Sequence, residues 1–228
     1  MAGHSKFKNI MHRKGAQDKK RAKLFSRLIR EISVSAKLGG VDPSSNPRLR
    51  AAINNALSSN MSKENIERAI KKTASSGESD QILEITYEGF GPSGVAIIVD
   101  SLTDNKNRSV SEIRSTFSKY NGNLGISGCV KHFFKKTGVI LYSKEIVNFE
   151  KIFEFCANIN ALDVLQMNDS YEITTEIESF HNILSNLEKE FSVPNFSSIE
   201  WRPVNTIDID NENDATTLLK LLEKLEEL

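Results

Sequence analysis

The hydrophobic repeat of this chain changes at Ser75-Ser76-Gly77, and that change limits what each side can fold into. Upstream, apolar residues recur at helical spacing. Phe25, Leu28, Ile29, Ile32 and Ala36 share one face at about 100° per residue. This predicts a helix from Ala16 to Leu38, stopped by Gly39-Gly40. Asn46 is placed to cap a second helix, with Pro47 at its first position and Leu49, Ile53, Ala56 and Leu57 as its buried stripe. Ser62 caps a third helix carrying Ile66, Ala69 and Ile70. Downstream, strands enter. Residues 82–87 and 95–102 read as strands, 109–120 as a helix with Val110, Ile113 and Phe117 buried, and 130–134 as a third strand. From Gly138 the order is strand 139–143, helix 149–159, strands 162–167 and 171–174, helix 177–191 and strand 196–201. That β-α-β-β-α-β order is ferredoxin-like. A last amphipathic helix, 214–228, bears Leu218, Leu219, Leu222 and Leu225.

Charge follows the same division. The chain is neutral overall, with 30 basic and 30 acidic residues, but the neutrality hides a gradient. Residues 1–72 hold 17 Lys+Arg and 5 Asp+Glu, an excess of +12; residues 73–138 are balanced at 7 and 7; residues 139–228 hold 6 and 18, or −12. Lys20, Lys23, Arg27 and Arg30 cluster on the helix face opposite the apolar stripe, and Arg68, Lys71 and Lys72 enrich the end of the third helix. An apolar face closed into a core leaves such a basic face for a polyanion, and phosphate contact is the expected chemistry. The candidates are Lys6, Lys8, Arg13, Lys14, Lys20, Lys23, Arg27 and Arg30, with Arg68, Lys71 and Lys72 as a second tier. The first 24 residues have little apolar content, which suits a segment that orders on its partner. The acidic last third reads as a solubilising surface, or as one that turns the basic module toward nucleic acid.

Other motifs are weaker. Gly89-x-Gly91-x-x-Gly94 matches the dinucleotide fingerprint in letters, but a β-rich stretch follows it where a helix N-terminus is required. Pro92 also removes an amide donor. A plain strand connection is expected. His4, His12, His132 and His181 are scattered, and Cys129 and Cys156 are read as buried small residues, so no metal or cofactor is expected. No nucleophile elbow or phosphate-binding loop appears, so no catalytic residue, small-molecule substrate or enzymatic activity is expected. Thr103-Asp104-Asn105-Lys106-Asn107-Arg108 either caps a helix through Asn107 or Asp104, or presents Lys106 and Arg108 to a partner. No stretch is long and apolar enough for a membrane span, and two cysteines without an export signal point to the cytoplasm. The basic, acid-poor start resembles a transit peptide only in composition, because it runs straight into a helix pattern.

Several segments together resemble the YebC-type family of transcriptional regulatory proteins. They are Met1-Ala2-Gly3-His4-Ser5-Lys6-Phe7, His12-Arg13-Lys14-Gly15-Ala16-Gln17-Asp18, Leu28-Ile29-Arg30-Glu31-Ile32 and Asn46-Pro47-Arg48-Leu49-Arg50. Asn65 to Lys72, Tyr87-Glu88-Gly89-Phe90-Gly91-Pro92 and Asn121-Gly122-Asn123-Leu124-Gly125 extend the match. The family more often carries Trp where this chain has Phe7. The resemblance is dense over residues 1–138 and looser to the end. It implies an α+β multidomain protein: a helical N-terminal domain (1–77), a middle α/β domain (78–137 plus 204–228) and an inserted ferredoxin-like domain (138–203). It implies a bacterial cytoplasmic, DNA-binding transcriptional regulator without enzymatic chemistry. Relatives include a mitochondrial translational activator of cytochrome c oxidase and proteins that relieve ribosomes stalled on proline-rich sequences. A translation factor binding ribosomal RNA is therefore the alternative, and charge alone does not separate the two. A monomer is expected. Family chains usually continue past the last helix into a further strand; a chain ending at Leu228 would leave the middle sheet one strand short, and a truncated sequence is the plain alternative.

Overall fold

The computed structural model describes the backbone of residues 3–75 and 82–228 and the side chains of residues 21–73 and 82–228. The chain divides into two compact units, 1–76 and 77–228.

The elements described in the first unit are all helices: α1 (Gly3–Gly39), α2 (Pro47–Ser58) and α3 (Lys63–Ser75). Ile32, Ala36, Leu49, Ala52, Ala56, Met61, Ile66 and Ala69 form its core, with Phe25, Leu28, Ile53 and Ile70 packed against it. The four alanines keep the helices close. Helix α1 begins thirteen residues before the expected Ala16, so the acid-poor start is helix rather than irregular chain. Leu57, expected in the stripe of α2, is 37% exposed, and Ala52 takes its place. The reason is angular. Leu49, Ala52, Ile53 and Ala56 lie within about 100° of arc, and Leu57 is rotated about 90° away from their centre.

One side chain joins two helix ends. Asn46 is buried, its Oδ1 accepts the Leu49 N–H at 3.0 Å, and its Nδ2 donates to the carbonyls of Ser35 at 2.7 Å and Gly40 at 2.8 Å. It thus satisfies an orphan donor of α2 and carbonyls at the end of α1. A Cβ on Gly39 would lie 2.6 Å from Asn46 Nδ2, so glycine is required there by close approach.

The second unit begins with β1 (Leu83–Phe90), β2 (Ala96–Thr103), α4 (Lys106–Lys119) and β3 (Asn123–Leu124). The three strands form an antiparallel sheet of order β2-β1-β3. A final helix, α7 (Glu212–Glu226), joins α4 on this sheet around Tyr87, Ile97, Ile113, Phe117, Leu218, Leu221 and Leu225. The expected stripe of α7 is corrected: Leu221 is buried, while Leu219 is 68% and Leu222 is 38% exposed. Leu218, Leu221 and Leu225 follow the i, i+3, i+7 spacing that one contact line allows.

The Gly89-x-Gly91-x-x-Gly94 segment does connect strands. Gly91 N–H donates to the Val95 carbonyl at 2.8 Å, closing a tight turn over Pro92–Gly94, and β2 follows. Gly89 and Gly91 serve packing, since a Cβ on Gly89 would meet the Phe117 ring at 2.7 Å and one on Gly91 would meet Leu218 at 2.9 Å, whereas Gly94 takes a φ of +73° in the turn. The helix α4 is capped by Asn105, whose Oδ1 accepts the Arg108 N–H at 3.0 Å, rather than by Asn107 or Asp104.

The strand expected at 130–134 is absent. Lys131–Phe133 is a single 3-10 turn, and β4 (Phe134–Ser143) starts after it. Glu88 explains the difference. Its buried carboxylate accepts the backbone N–H of Gly128 at 2.7 Å and of Val130 and Lys131 at 2.9 Å each. Amides committed to a carboxylate cannot also enter a ladder.

The remaining elements are α5 (Phe149–Asn158), β5 (Asp163–Gln166), β6 (Ser170–Thr175), α6 (Phe180–Phe191) and β7 (Phe196–Pro203). The strands form an antiparallel sheet of order β5-β6-β4-β7. Ile140, Tyr142, Ile152, Cys156, Ile173, Phe180, Ile183, Leu184 and Leu187 fill the space between sheet and helices. The boundary expected at residues 137/138 lies inside β4. Gly138 marks close packing there, since a Cβ would fall 2.4 Å from the Phe180 ring.

Candidate nucleic-acid interface

Lys23, Arg27 and Arg30 are exposed on α1, and Ile32 and Ala36 close the opposite face into the core. Lys6, Lys8, Arg13, Lys14 and Lys20 fall on the helical part of α1 whose side chains lie outside the described residues. Arg21, absent from the expected set, is exposed with its guanidinium 5.2 Å from the Phe25 ring centre. The charge run contained it, but at about 100° per residue Arg21 falls on the side of Phe25 and Leu28 rather than with Lys23 and Arg27.

The acidic residue nearest this face in sequence is neutralised. Glu31 takes a two-point contact from Arg48, Nε to Oε1 at 2.7 Å and Nη2 to Oε2 at 3.2 Å, and Ser35 Oγ donates to it at 3.2 Å. Both partners are over a third exposed, so the pair adds little stability. Its larger effect is on charge: a carboxylate on the basic helix α1 is compensated from α2. Arg50 reaches the Pro43 carbonyl at 3.3 Å, so it too has a local partner.

Arg68, Lys71 and Lys72 are exposed on the last turns of α3 and line an open recess with Glu64 and Glu67. Two carboxylates beside three cations offset much of the positive charge of this recess. Within the polar segment before α4, Arg108 pairs with Asp104 at 2.6 Å, which favours the capping reading for that segment.

A cationic cluster that no sequence pattern announced lies in the second unit. Trp201 on β7 stands opposite Lys136 on β4. The Lys136 ammonium lies 4.9 Å and the Lys131 ammonium 5.7 Å from the indole ring centre. Trp201 Nε1 donates to Asp100 Oδ2 at 3.1 Å, and Thr86 Oγ1 donates to Asp100 Oδ1 at 2.6 Å. Lys135, by contrast, is paired with Glu176, and Arg202 with Glu172 and Glu200.

Among the described residues no group of three His, Cys, Asp or Glu side chains is arranged to hold a metal ion. Cys156 is buried as expected, and burial pushes its thiol up to about 12, far from the thiolate a nucleophile needs. Cys129 is only partly buried. No described helix is long and apolar enough to cross a membrane.

The comparisons with known proteins agree over the whole chain. Residues 5–76 match the family profile described as the TACO1/YebC protein N-terminal domain, and residues 82–228 match the TACO1/YebC second and third domain. The chain is 50% identical over 228 residues to a "probable transcriptional regulatory protein" of Rickettsia canadensis, covering 100% of this chain and 90% of the relative. It is 51% identical over 227 residues to a protein of the same name from Zymomonas mobilis, again covering 100% and 90%. The crystal structure of a conserved hypothetical protein from Aquifex aeolicus, 45% identical, superposes with a TM-score of 0.84 over 92% of this chain and 86% of that one. Two adjoining family profiles and near-half identity end to end leave one assignment: the chain belongs to the TACO1/YebC family.

Proposed function

We propose that this chain is a nucleic-acid-binding regulatory protein that grips phosphates through the basic face of α1, acting without catalysis, as a monomer, in the cytoplasm. The observation that carries the reading is the exposed row Lys23, Arg27 and Arg30, set opposite a packed core in a segment with a +12 excess. A helix whose other face is buried presents its cations from a fixed surface, so their spacing is retained on binding. Duplex DNA is the first partner, supported by relatives named as transcriptional regulators. Ribosomal RNA is the alternative, because phosphate contacts do not distinguish the two polymers. The test is duplex binding by fluorescence anisotropy across a salt series with the Lys23→Ala/Arg27→Ala/Arg30→Ala variant. Each lost phosphate contact lowers the slope of log K against log salt by about 0.9 on DNA. Unchanged affinity and slope would overturn the reading.

A further inference from the structure

The Trp201 cluster is anomalous for its surroundings. Residues 77–228 hold 13 basic and 25 acidic residues, and exposed lysines in such a unit are expected to sit beside carboxylates. Lys135 does so. Lys131 and Lys136 instead lie over an indole. The Glu88 carboxylate, which feels the charge of Lys131, is hydrogen-bonded to three backbone amides, one of them that of Lys131. The Glu88 clamp therefore fixes the turn that carries Lys131, and the β4–β7 register fixes Lys136 beside Trp201. Asp100 holds the indole by its N–H edge, which sets the plane of the ring. The result is an oriented, partly buried aromatic ring with two exposed lysines against it.

We propose that Trp201, Lys131 and Lys136 form a second nucleic-acid contact, one that takes an unpaired segment of RNA. A base stacks on the indole, and the two ammonium groups move from the ring to the flanking phosphates. Stacking on an aromatic side chain with lysines tracking the backbone is the chemistry by which single strands are held. A duplex offers phosphates but keeps its base faces in the stack. Folded RNA exposes unpaired bases in loops and bulges, which is why the partner is RNA rather than duplex DNA. Two of the Asp100 lone-pair positions are taken by Trp201 and Thr86, and the others are free to accept a ribose 2′-hydroxyl. The proposal rests on the reading of the chain as nucleic-acid-binding and adds to it a second site, specific for unpaired RNA.

The chain contains one tryptophan, so its fluorescence reports on this site alone. The full chain is titrated with an unstructured 15-nucleotide RNA, the same sequence as single-stranded DNA, and a DNA duplex, with end-labelled anisotropy recorded in parallel. Saturable quenching of Trp201 by the RNA is expected, with little change on the duplex. Lys131→Ala/Lys136→Ala keeps the reporter and should weaken RNA binding about tenfold, as should Trp201→Ala, while Trp201→Phe retains most of the affinity. Loss with both Trp201→Ala and Trp201→Phe would assign the ring to the Asp100 hydrogen bond and overturn the stacking role. Equal quenching and affinity for single-stranded DNA would overturn the RNA assignment. RNA bound by anisotropy with unchanged Trp201 emission would overturn the site. The α1 triple variant separates the two readings: lost duplex binding with intact RNA quenching supports both, and duplex binding unaffected by it with intact quenching overturns the α1 reading alone.

Discussion

The two cationic regions are built by different means. On α1, Lys23, Arg27 and Arg30 come from eight consecutive residues, and helical periodicity alone brings them to one face. Around Trp201, Lys131 and Lys136 come from a turn and a strand about seventy residues upstream, and only sheet register places them by the ring. The first region has many charges and rests on a helix with its own core. The second has two charges and an aromatic face, and rests on a buried carboxylate. Many charges without aromatic faces suit a phosphate backbone, and few charges with a ring suit an exposed base.

That contrast breaks most visibly at the supports. Glu88→Gln should cost about 3 kcal/mol in unit 77–228, because an amide keeps one acceptor oxygen and turns an NH2 toward the backbone N–H groups that the other oxygen served. Urea unfolding followed by Trp201 emission measures it, and duplex binding by α1 should be unchanged. Asn46→Ala should do the reverse at about 2 kcal/mol, releasing one N–H and two carbonyls in the helical unit while RNA quenching of Trp201 persists. Equal effects of both variants on both binding readouts would show that the regions are not independent.

Acid sharpens the same contrast. Burial alone would raise the Glu88 carboxyl, but the amides of Gly128, Val130 and Lys131 and the charge of Lys131 outweigh it, so it titrates below the ordinary glutamate value. A carboxylate depressed in the folded state stabilises above its unfolded pKa, and that contribution is lost as pH falls through the folded value. The second unit should therefore lose stability below about pH 4, and Glu88→Gln should remove that part of the pH dependence. Equilibrium unfolding between pH 7 and pH 3 tests this.

The smallest effects are at the surface. Lys23→Ala/Arg27→Ala/Arg30→Ala should change stability by less than about 0.5 kcal/mol while lowering the salt slope. Arg48→Ala should cost about 0.5 kcal/mol, yet weaken duplex binding, because it leaves Glu31 uncompensated on the binding helix. Calorimetry and the same anisotropy series check both.

Local rules were legible wherever one element satisfied itself. Asn46-Pro47 announced the start of α2, the spacing of Ile66 and Ala69 announced α3, and the residues after Gly94 excluded a dinucleotide turn. The β-α-β-β-α-β order from Gly138 onward was readable from its periods. Errors arose where a distant group competed. Val130–Phe134 has strand composition, but Glu88, about forty residues earlier, takes its amides. Leu219 and Leu222 look like core in an amphipathic helix, but α7 meets the sheet along one line.

Composition and periodicity by themselves determined the helical first unit, the α+β remainder and the basic face of α1. Each depends on residues within about two turns of one another, where backbone geometry dictates the neighbours. Tertiary structure alone decided that Glu31 is neutralised, that Glu88 holds the 128–131 turn, and that Trp201 meets two lysines. Those contacts join residues far apart in the chain, and no local energy term selects them. They exist because packing brings a buried carboxylate to unsatisfied amides and a strand register brings an indole to a lysine.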